Sequence, residues 1–342
     1  MSSQKQKIEE LLELINLYPS PHNGQPIVLK QKNRDLFSVN FDKSRGLQAT
    51  DISFIFSFVS MGVFKEHVIN CGKALGHQIT FDLNLPSQID LKGSGLISFA
   101  EMMINWDLLP INPASLSSIK FRQTSRKKYY TGVSKTISEK LINIANKNDM
   151  KLIKLDNESA HQTVWLNQRA VFDDMLDQSV RNELNHWLRY NKSEKINKKD
   201  GLAYDCMELN GRLMKFTVNH PKILSYPIIS NILKKYYLAT MKDSSDVFYM
   251  MAPFQTENQA FKVGEVVMKI WNEISLEGLY LHPFGTIMSN HQAHIDFLKM
   301  NNEQNETRDI SYLVFIFRAG KSKPPVRSLR IDYKVHLLQG AN

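Results

Sequence analysis

Arg122, Thr124 and Arg126 stand at i, i+2 and i+4. Two guanidinium forks flanking a hydroxyl are side chains suited to a phosphate, because each fork presents paired N–H donors at fixed geometry. If a helix opened there, the two arginines would share one face, where free backbone N–H groups add anion contacts. Arg327 and Arg330, in a proline-bearing C-terminal segment, can close on the same anion from another direction. Taken singly, each of the four is equally consistent with a surface charge of a basic protein. A second stretch runs Pro19, Ser20, Pro21, His22, Asn23, Gly24, Gln25, Pro26. Its prolines fix φ and lack an N–H, Gly24 permits close backbone approach, and Ser20, Asn23 and Gln25 offer donors and acceptors to a planar polar ligand. A Pro-rich connector leading into a strand is the alternative. A third stretch, Gly278 to Gly285, ends in His282, Pro283, Phe284 and Gly285, a turn followed by small and aromatic residues.

Other chemistries find no support in the spacing. His282, His291 and His294 lack a carboxylate placed to complete a metal site, so no metal is expected. Nucleotide loops of the Gly-x-Gly-x-x-Gly or Walker type and a Gly-x-Ser-x-Gly elbow are absent, which argues against a dinucleotide fold, a P-loop enzyme and an α/β-hydrolase. Cys71 and Cys206 are too few for a disulfide framework and read as reduced, structural thiols. His282 is a weak candidate for a general acid; packing or a rim position is the plainer reading for it and for His22.

The chain has 342 residues, 42% of them hydrophobic, enough to bury a sizeable core in one large domain or two intimate halves. Forty-three Lys and Arg against 34 Asp and Glu give a formal charge of +9 and a pI near 9.3. That favours anionic ligands such as phosphates and dinucleotides. The lysine-rich run 191–200 has no interleaved aromatics and reads as a solvated loop, so no nucleic-acid partner is expected. No apolar run is long enough to span a membrane and the N-terminus lacks an apolar signal region, so a cytoplasmic protein without a membrane partner is expected.

The positioning elements follow from periodicity. Ile8, Leu11, Leu12 and Ile15 predict an amphipathic helix over 5–17 that holds the Pro19 loop. Alternation predicts strands at 37–41 and 79–85, with a buried helix over 51–75 between them, capped by Thr50 or Asp51 and stopped by Gly76. A second helix is predicted over 257–277, stopped by Gly278. Gly62, Asn70 and Gly76 recur as Gly264, Asn272 and Gly278 at one offset of 202, the trace a fused duplicate would leave. Residues 108–118 read as a linker, 139–148 and 159–190 as helices, and 151–155, 247–251 and 312–317 as strands. Residues 221–245 mix prolines with a Lys-Lys-Tyr-Tyr cluster and could form a flap over a pocket.

The Pro19–Pro26 stretch resembles the flavin-contacting loop of the nitroreductase family, Pro-Ser-x-x-Asn-x-Gln-Pro followed by an aromatic, whose place Ile27 takes here. Arg122-x-Thr124-x-Arg126 resembles the motif with which that family holds the flavin phosphate, and Pro283, Phe284 and Gly285 match in type the turn that places backbone N–H groups near flavin N5. The phosphate motif follows the Pro-Ser loop instead of opening the chain, which points to the longer Acg-like branch with two fused halves. The resemblance implies an α+β nitroreductase-like fold, a mixed or antiparallel sheet with long central helices. Halves at 1–118 and 119–342 would form a single-chain pseudo-dimer, the second carrying a lid at 221–245. It implies FMN bound by Pro19, Ser20, Pro21, Asn23, Gln25, Arg122, Thr124, Arg126, Pro283, Phe284, Gly285 and Arg327 or Arg330, with the flavin carrying the chemistry. NADH or NADPH would donate hydride and a nitroaromatic or quinone would accept it. The alternatives are a flavin-binding protein without turnover and a tailoring dehydrogenase or reductase of a peptide or natural product; the chain would be a monomer or a homodimer.

Overall fold

The structure, a computed structural model, describes residues 2–51, 55–85, 93–239, 241, 245–301 and 312–339. Its residues gather into two compact units, one of residues 1–122, 255–276 and 329–342, the other of residues 123–254 and 277–328.

Helix α1 (Ser2–Ile15) buries Leu11, Leu12 and Ile15. Strands β1 (Ile27–Gln31) and β2 (Leu36–Asp42) follow as a hairpin, its turn closed by Asn33 Oδ1 accepting from the N–H groups of Asp35 and Leu36. Phe37, Val39 and Phe41 are fully buried, as alternation requires. Helix α2 (Ile55–Leu75) is anchored from below by Asp51, whose carboxylate accepts from the N–H of Phe56 at 2.9 Å and of Ser57 at 2.8 Å. Gly76, at φ +82, ends it, and β3 (Gln78–Leu83), β4 (Leu96–Asn105) and α3 (Pro113–Phe121) complete this stretch.

The chain then enters the second unit with β5 (Tyr129–Thr131), α4 (Lys135–Asn146) and β6 (Lys151–Lys154). Helix α4 starts before the expected residue 139 because Ser134 caps it, its Oγ accepting from the N–H of Ile137; Ser138 is buried within it. The single helix expected over 159–190 is two, α5 (Asn157–Leu176) and α6 (Gln178–Trp187), broken where Asp177 turns extended and caps the second. After β7 (Leu188–Arg189), the run expected as a solvated loop contains α7 (Lys192–Lys198), capped by Asn191 and tied down by a Lys195–Asp205 ion pair of 2.7 Å. Then come β8 (Leu202–Ala203), α8 (Gly211–Asn219), α9 (Pro227–Leu238) and β9 (Asp246–Ala252). The segment expected as a flap is thus largely helical, though 240 and 242–244 lie outside the described residues. Helix α10 (Glu257–Leu276) belongs to the first unit; β10 (Tyr280–Pro283), α11 (Gly285–Ser289), α12 (His291–Met300) and β11 (Tyr312–Ser322) belong to the second, and β12 (Leu337–Gln339) to the first.

Each unit has one main sheet, and the two share a topology. In the first, the order is β12-β1-β2-β4-β3; in the second, β10-β11-β9-β6, with β5 on the end of β11. The series β1, β2, α2, β3, β4 and the series β6, β9, α10, β10, β11 both place the strands first, second, fourth, third, and every neighbouring pair in these two series is antiparallel. The parallel pairing of β12 with β1 makes the first sheet mixed. The α+β class expected from the sequence is what the chain adopts. The main difference between the two series is the helical insert α5 to α9, which replaces the short turn between β1 and β2.

Inside the first unit, α2 and α10 cross at their glycines. A Cβ on Gly62 would lie 1.9 Å from the Phe261 carbonyl oxygen, and one on Gly264 would lie 2.0 Å from that of Val59. Adding 202 turns Gly62 into Gly264 and Val59 into Phe261, so the two contacts are one contact seen from either helix. The offset also carries the start of β3 at Gln78 onto the start of β10 at Tyr280.

Candidate functional site

In the first unit the Pro19–Pro26 loop carries unusual backbone strain. His22, Asn23 and Gln25 have φ of 49, 54 and 53, while Gly24 sits at φ −66, leaving its own freedom unused. Left-handed backbone at non-glycine residues costs about 1 kcal/mol each, and the cost is met by the contacts that fix the loop. Ser20 Oγ accepts from the N–H of Gln25 at 2.9 Å. Gln25 Oε1 accepts from the N–H of Ile331 at 3.0 Å, and Asn23 Nδ2 donates to the Leu329 backbone carbonyl at 3.1 Å. Arg330 donates to Asn23 Oδ1 at 2.6 Å. These amide groups, expected to face a ligand, thus hold the C-terminal segment 329–331 against the loop.

Three cations clasp this loop and the end of α1. Arg122 and Arg330 both donate to the Leu17 carbonyl, and Arg45 donates to that of Gly24. Arg122 is buried at the end of α3, with its guanidinium 5.0 Å from the centre of the Trp271 ring. Beside them His67, wholly buried, donates Nε2–H to the Leu14 carbonyl at 2.9 Å. Burial, reinforced by the charges of Arg122 and Arg330, holds the pKa of His67 down to about 3.

The sign of the resulting pH dependence is fixed. An unfolded histidine takes up its proton near pH 6.5 whereas folded His67 does not, so its contribution is complete above that pH and is lost as pH falls from 6.5 toward 3, by up to about 1.4 kcal/mol per pH unit. The slope of unfolding free energy between pH 6 and pH 4, from denaturant titrations, is expected to be shallower in His67→Gln than in the wild type by up to one proton. An unchanged slope would mean that His67 is protonated within the fold.

The second unit holds a different cluster. Residues after Arg122 do not open a helix; Thr124 bridges Leu281 as extended backbone and the N–H of Ser125 donates to the Leu281 carbonyl, so the segment runs along β10. Arg318, on β11, is completely buried and pairs across the ladder with His282. It donates Nε–H to His282 Nδ1 at 3.2 Å and Nη2–H to the Lys127 carbonyl at 3.2 Å, with its guanidinium 4.6 Å from the centre of the Tyr129 ring. Ser125 Oγ and Ser322 Oγ lie 2.8 Å apart. Arg126 is half-buried; burial is the main influence on it and lowers its pKa to about 10, the Arg318 charge acting the same way. His282 is driven well below the ordinary histidine range by burial and then by Arg126 and Arg318. It is therefore neutral near pH 7 and its Nδ1 accepts a hydrogen bond from Arg318, so it carries no spare proton there to give as a general acid.

Among the described residues no carboxylate acts electrostatically on Arg126 or His282, and Arg126 makes no ion pair. A half-buried guanidinium that no carboxylate offsets among the described residues is costly, and an anion beside Arg126 relieves that cost. Nearby, Lys127 is neutralised by Glu208 at 2.9 Å, while Arg327 is exposed beside Tyr280, with its pKa lowered chiefly by partial desolvation. Pro283, Phe284 and Gly285 close the end of β10: the Phe284 ring is in the core, its N–H donates to the Ile316 carbonyl at 2.9 Å, and the space beside Gly285 Cα is open.

The expected residues thus fall in two groups. The first unit contains Pro19, Ser20, Pro21, Asn23, Gln25, Arg122 and Arg330, and the second contains Thr124, Arg126, Pro283, Phe284, Gly285 and Arg327. Sequence reading missed Arg318. Its signal is slight, a lone arginine that follows the apolar run Tyr312–Phe317 and that no surface position explains. Among the described residues no three His, Cys, Asp or Glu side chains are grouped to hold a metal ion, and no helix is long and apolar enough to cross a membrane.

No family model matches the sequence, and no curated protein matches it either. Solved structures do. The FMN-dependent nitroreductase NfnB from Mycobacterium smegmatis, in complex with NADPH, aligns with 61% of this chain and 87% of its own at 12% identity and a TM-score of 0.38. A mutant of an FMN and NADPH-dependent nitroreductase NfnB derived from a sphigopyxis strain aligns with 64% and 94% at 12% identity and 0.38. A nitroreductase-like family protein from Bacillus cereus aligns with 63% and 90% at 16% identity and 0.32. Similarity at this level establishes neither family membership nor a cofactor.

Proposed function

We propose that the chain is an FMN-dependent oxidoreductase of the nitroreductase type, using NADH or NADPH to reduce small electron-poor acceptors such as nitroaromatics or quinones. The observation that carries this reading is the Arg126, Arg318 and His282 cluster, which is cationic, has Arg318 and His282 buried and, among the described residues, has no carboxylate acting on Arg126 or His282. A phosphate monoester fits it: the guanidinium forks match phosphate oxygens, and the Ser125 and Ser322 hydroxyls lie in the same segment pair. When bound, FMN would supply the hydride chemistry. The chain's own work at this cluster is then to neutralise the phosphate with Arg126 and Arg318 and to keep His282 uncharged so that it orients Arg318. The shared strand order and the reciprocal glycine contacts support a duplicated ancestry, with one chain carrying two copies of a nitroreductase-like fold over 1–118 and 119–342.

Titration of the purified, flavin-free protein with FMN and with riboflavin tests the assignment. Losing the phosphate is expected to weaken binding by at least about 100-fold, because the two charge-assisted contacts of a bidentate Arg126, roughly 1.5 kcal/mol each, disappear together with those of Arg318. Equal affinity for the two, or binding of neither, would overturn it.

A further inference from the structure

The helical insert presents an apolar face that neither the flavin reading nor the core absorbs. Helix α9 turns Ser230, Leu233, Tyr237 and Leu238 inward. On its other side Ile228, Ile232 and Tyr236 recur at i, i+4 and i+8 with Ile229 beside them, an outward stripe about 100° wide on a 3.6-residue helix. Ile228 is 77% exposed and Ile232 63%, and Tyr226, just before the helix, is 61% exposed. On α8, which precedes it, Phe216 is exposed as well. An exposed cluster of isoleucine and aromatic side chains calls for a covering surface, since single exposed apolar residues are ordinary but a stripe is not.

Charge says what that surface is. Between residues 209 and 239 there are five basic residues, Arg212, Lys215, Lys222, Lys234 and Lys235, and no aspartate or glutamate. The nearest acids before this stretch are already matched, Asp205 to Lys195 and Glu208 to Lys127. The covering surface is therefore anionic, and a second copy of a chain of charge +9 is disfavoured. Shape favours a lipid surface over a protein: the apolar side chains protrude from a helix instead of lining a pocket, and Tyr226 pairs an apolar ring with a hydroxyl suited to the headgroup level. We infer that the α8–α9 face is a peripheral docking site for an anionic lipid surface, with Ile228, Ile229 and Ile232 entering the acyl boundary and the surrounding lysines meeting lipid headgroups. This is contact without spanning, and it stands independently of the flavin assignment.

Co-sedimentation of the full chain with vesicles of phosphatidylcholine alone, or with about 30% phosphatidylserine, tests it. The chain is expected to bind the anionic vesicles at least tenfold more tightly, with binding weakened at 0.5 M salt. Ile228→Asp with Ile232→Asp is expected to lower it at least tenfold while far-UV circular dichroism and melting temperature stay unchanged, both sites being exposed. Lys222→Glu with Lys235→Glu is expected to do the same. Anionic-vesicle binding unaffected by the isoleucine changes would show only diffuse attraction of a basic protein and overturn the site. Absence of vesicle binding, or a dimer in light scattering that the isoleucine changes dissolve, would give the face to a protein partner and overturn the lipid assignment.

Discussion

Arg126→Met is expected to lower affinity for FMN by about 100-fold while changing affinity for riboflavin less than threefold. Among the described residues the guanidinium has no carboxylate to pair with, so its role emerges only with an anion present. A bidentate arginine–phosphate contact is worth about 3 kcal/mol, which gives the factor. The same substitution is expected to raise the melting temperature of the flavin-free protein slightly, since a partly buried, uncompensated cation is replaced by an apolar side chain of similar length. Opposite signs on ligand affinity and on stability separate this role from damage to the fold. Arg318→Met would be less clean, because it also strips His282 Nδ1 and the Lys127 carbonyl of their donor. Equal loss of FMN and riboflavin binding in Arg126→Met would move the phosphate elsewhere.

Gly264→Ala is expected to be the most destabilising single methyl in the first unit. The added Cβ would meet the Val59 carbonyl oxygen at 2.0 Å and the Val63 nitrogen at 2.8 Å, both backbone atoms of a packed helix that cannot step aside. Relief requires α2 and α10 to separate by more than 1 Å over their whole interface, at a cost of about 3 kcal/mol or more. For a protein of this size that is a fall in melting temperature of roughly 6–12 °C, read by calorimetry or circular dichroism. Gly62→Ala should behave alike, facing the Phe261 carbonyl oxygen at 1.9 Å. Gly278→Ala supplies the contrast. No atom lies within 4 Å of its added Cβ, and only the left-handed backbone at φ +67 opposes it, worth about 1 kcal/mol. Equal effects at Gly264 and Gly278 would mean that backbone strain, not helix approach, makes these glycines necessary.

Much of this architecture was legible because local and global signals agreed. The apolar period of 8, 11, 12 and 15, the alternation of Phe37, Val39 and Phe41, and the stops at Gly76 and Gly278 each describe an element whose burial matches its pattern. The offset of 202 was visible for the same reason: crossing glycines tolerate no replacement, so they persist where apolar neighbours drift. Elements held by tertiary contacts were not legible. Helix α7 has few apolar anchors and stands on an asparagine cap and one lysine–aspartate pair; α5 and α6 read as one helix because Asp177 breaks the path through its carboxylate and not through glycine or proline. The compact units combine segments far apart in the chain, which composition along the sequence does not signal. At the candidate site, the arginine motif was found but its backbone was not, since i and i+4 suit one face of a helix and, equally, one side of an extended segment. Arg318 escaped notice because its meaning lies in what surrounds it.

The most direct test is the visible absorption spectrum of the purified full chain, followed by anaerobic addition of NADH or NADPH. The account predicts FMN bound at one equivalent or taken up to that level on addition, with a flavin spectrum that bleaches when the nicotinamide is added. A colourless protein that takes up no FMN would contradict it, leaving the arginine cluster as a site for some other phosphate.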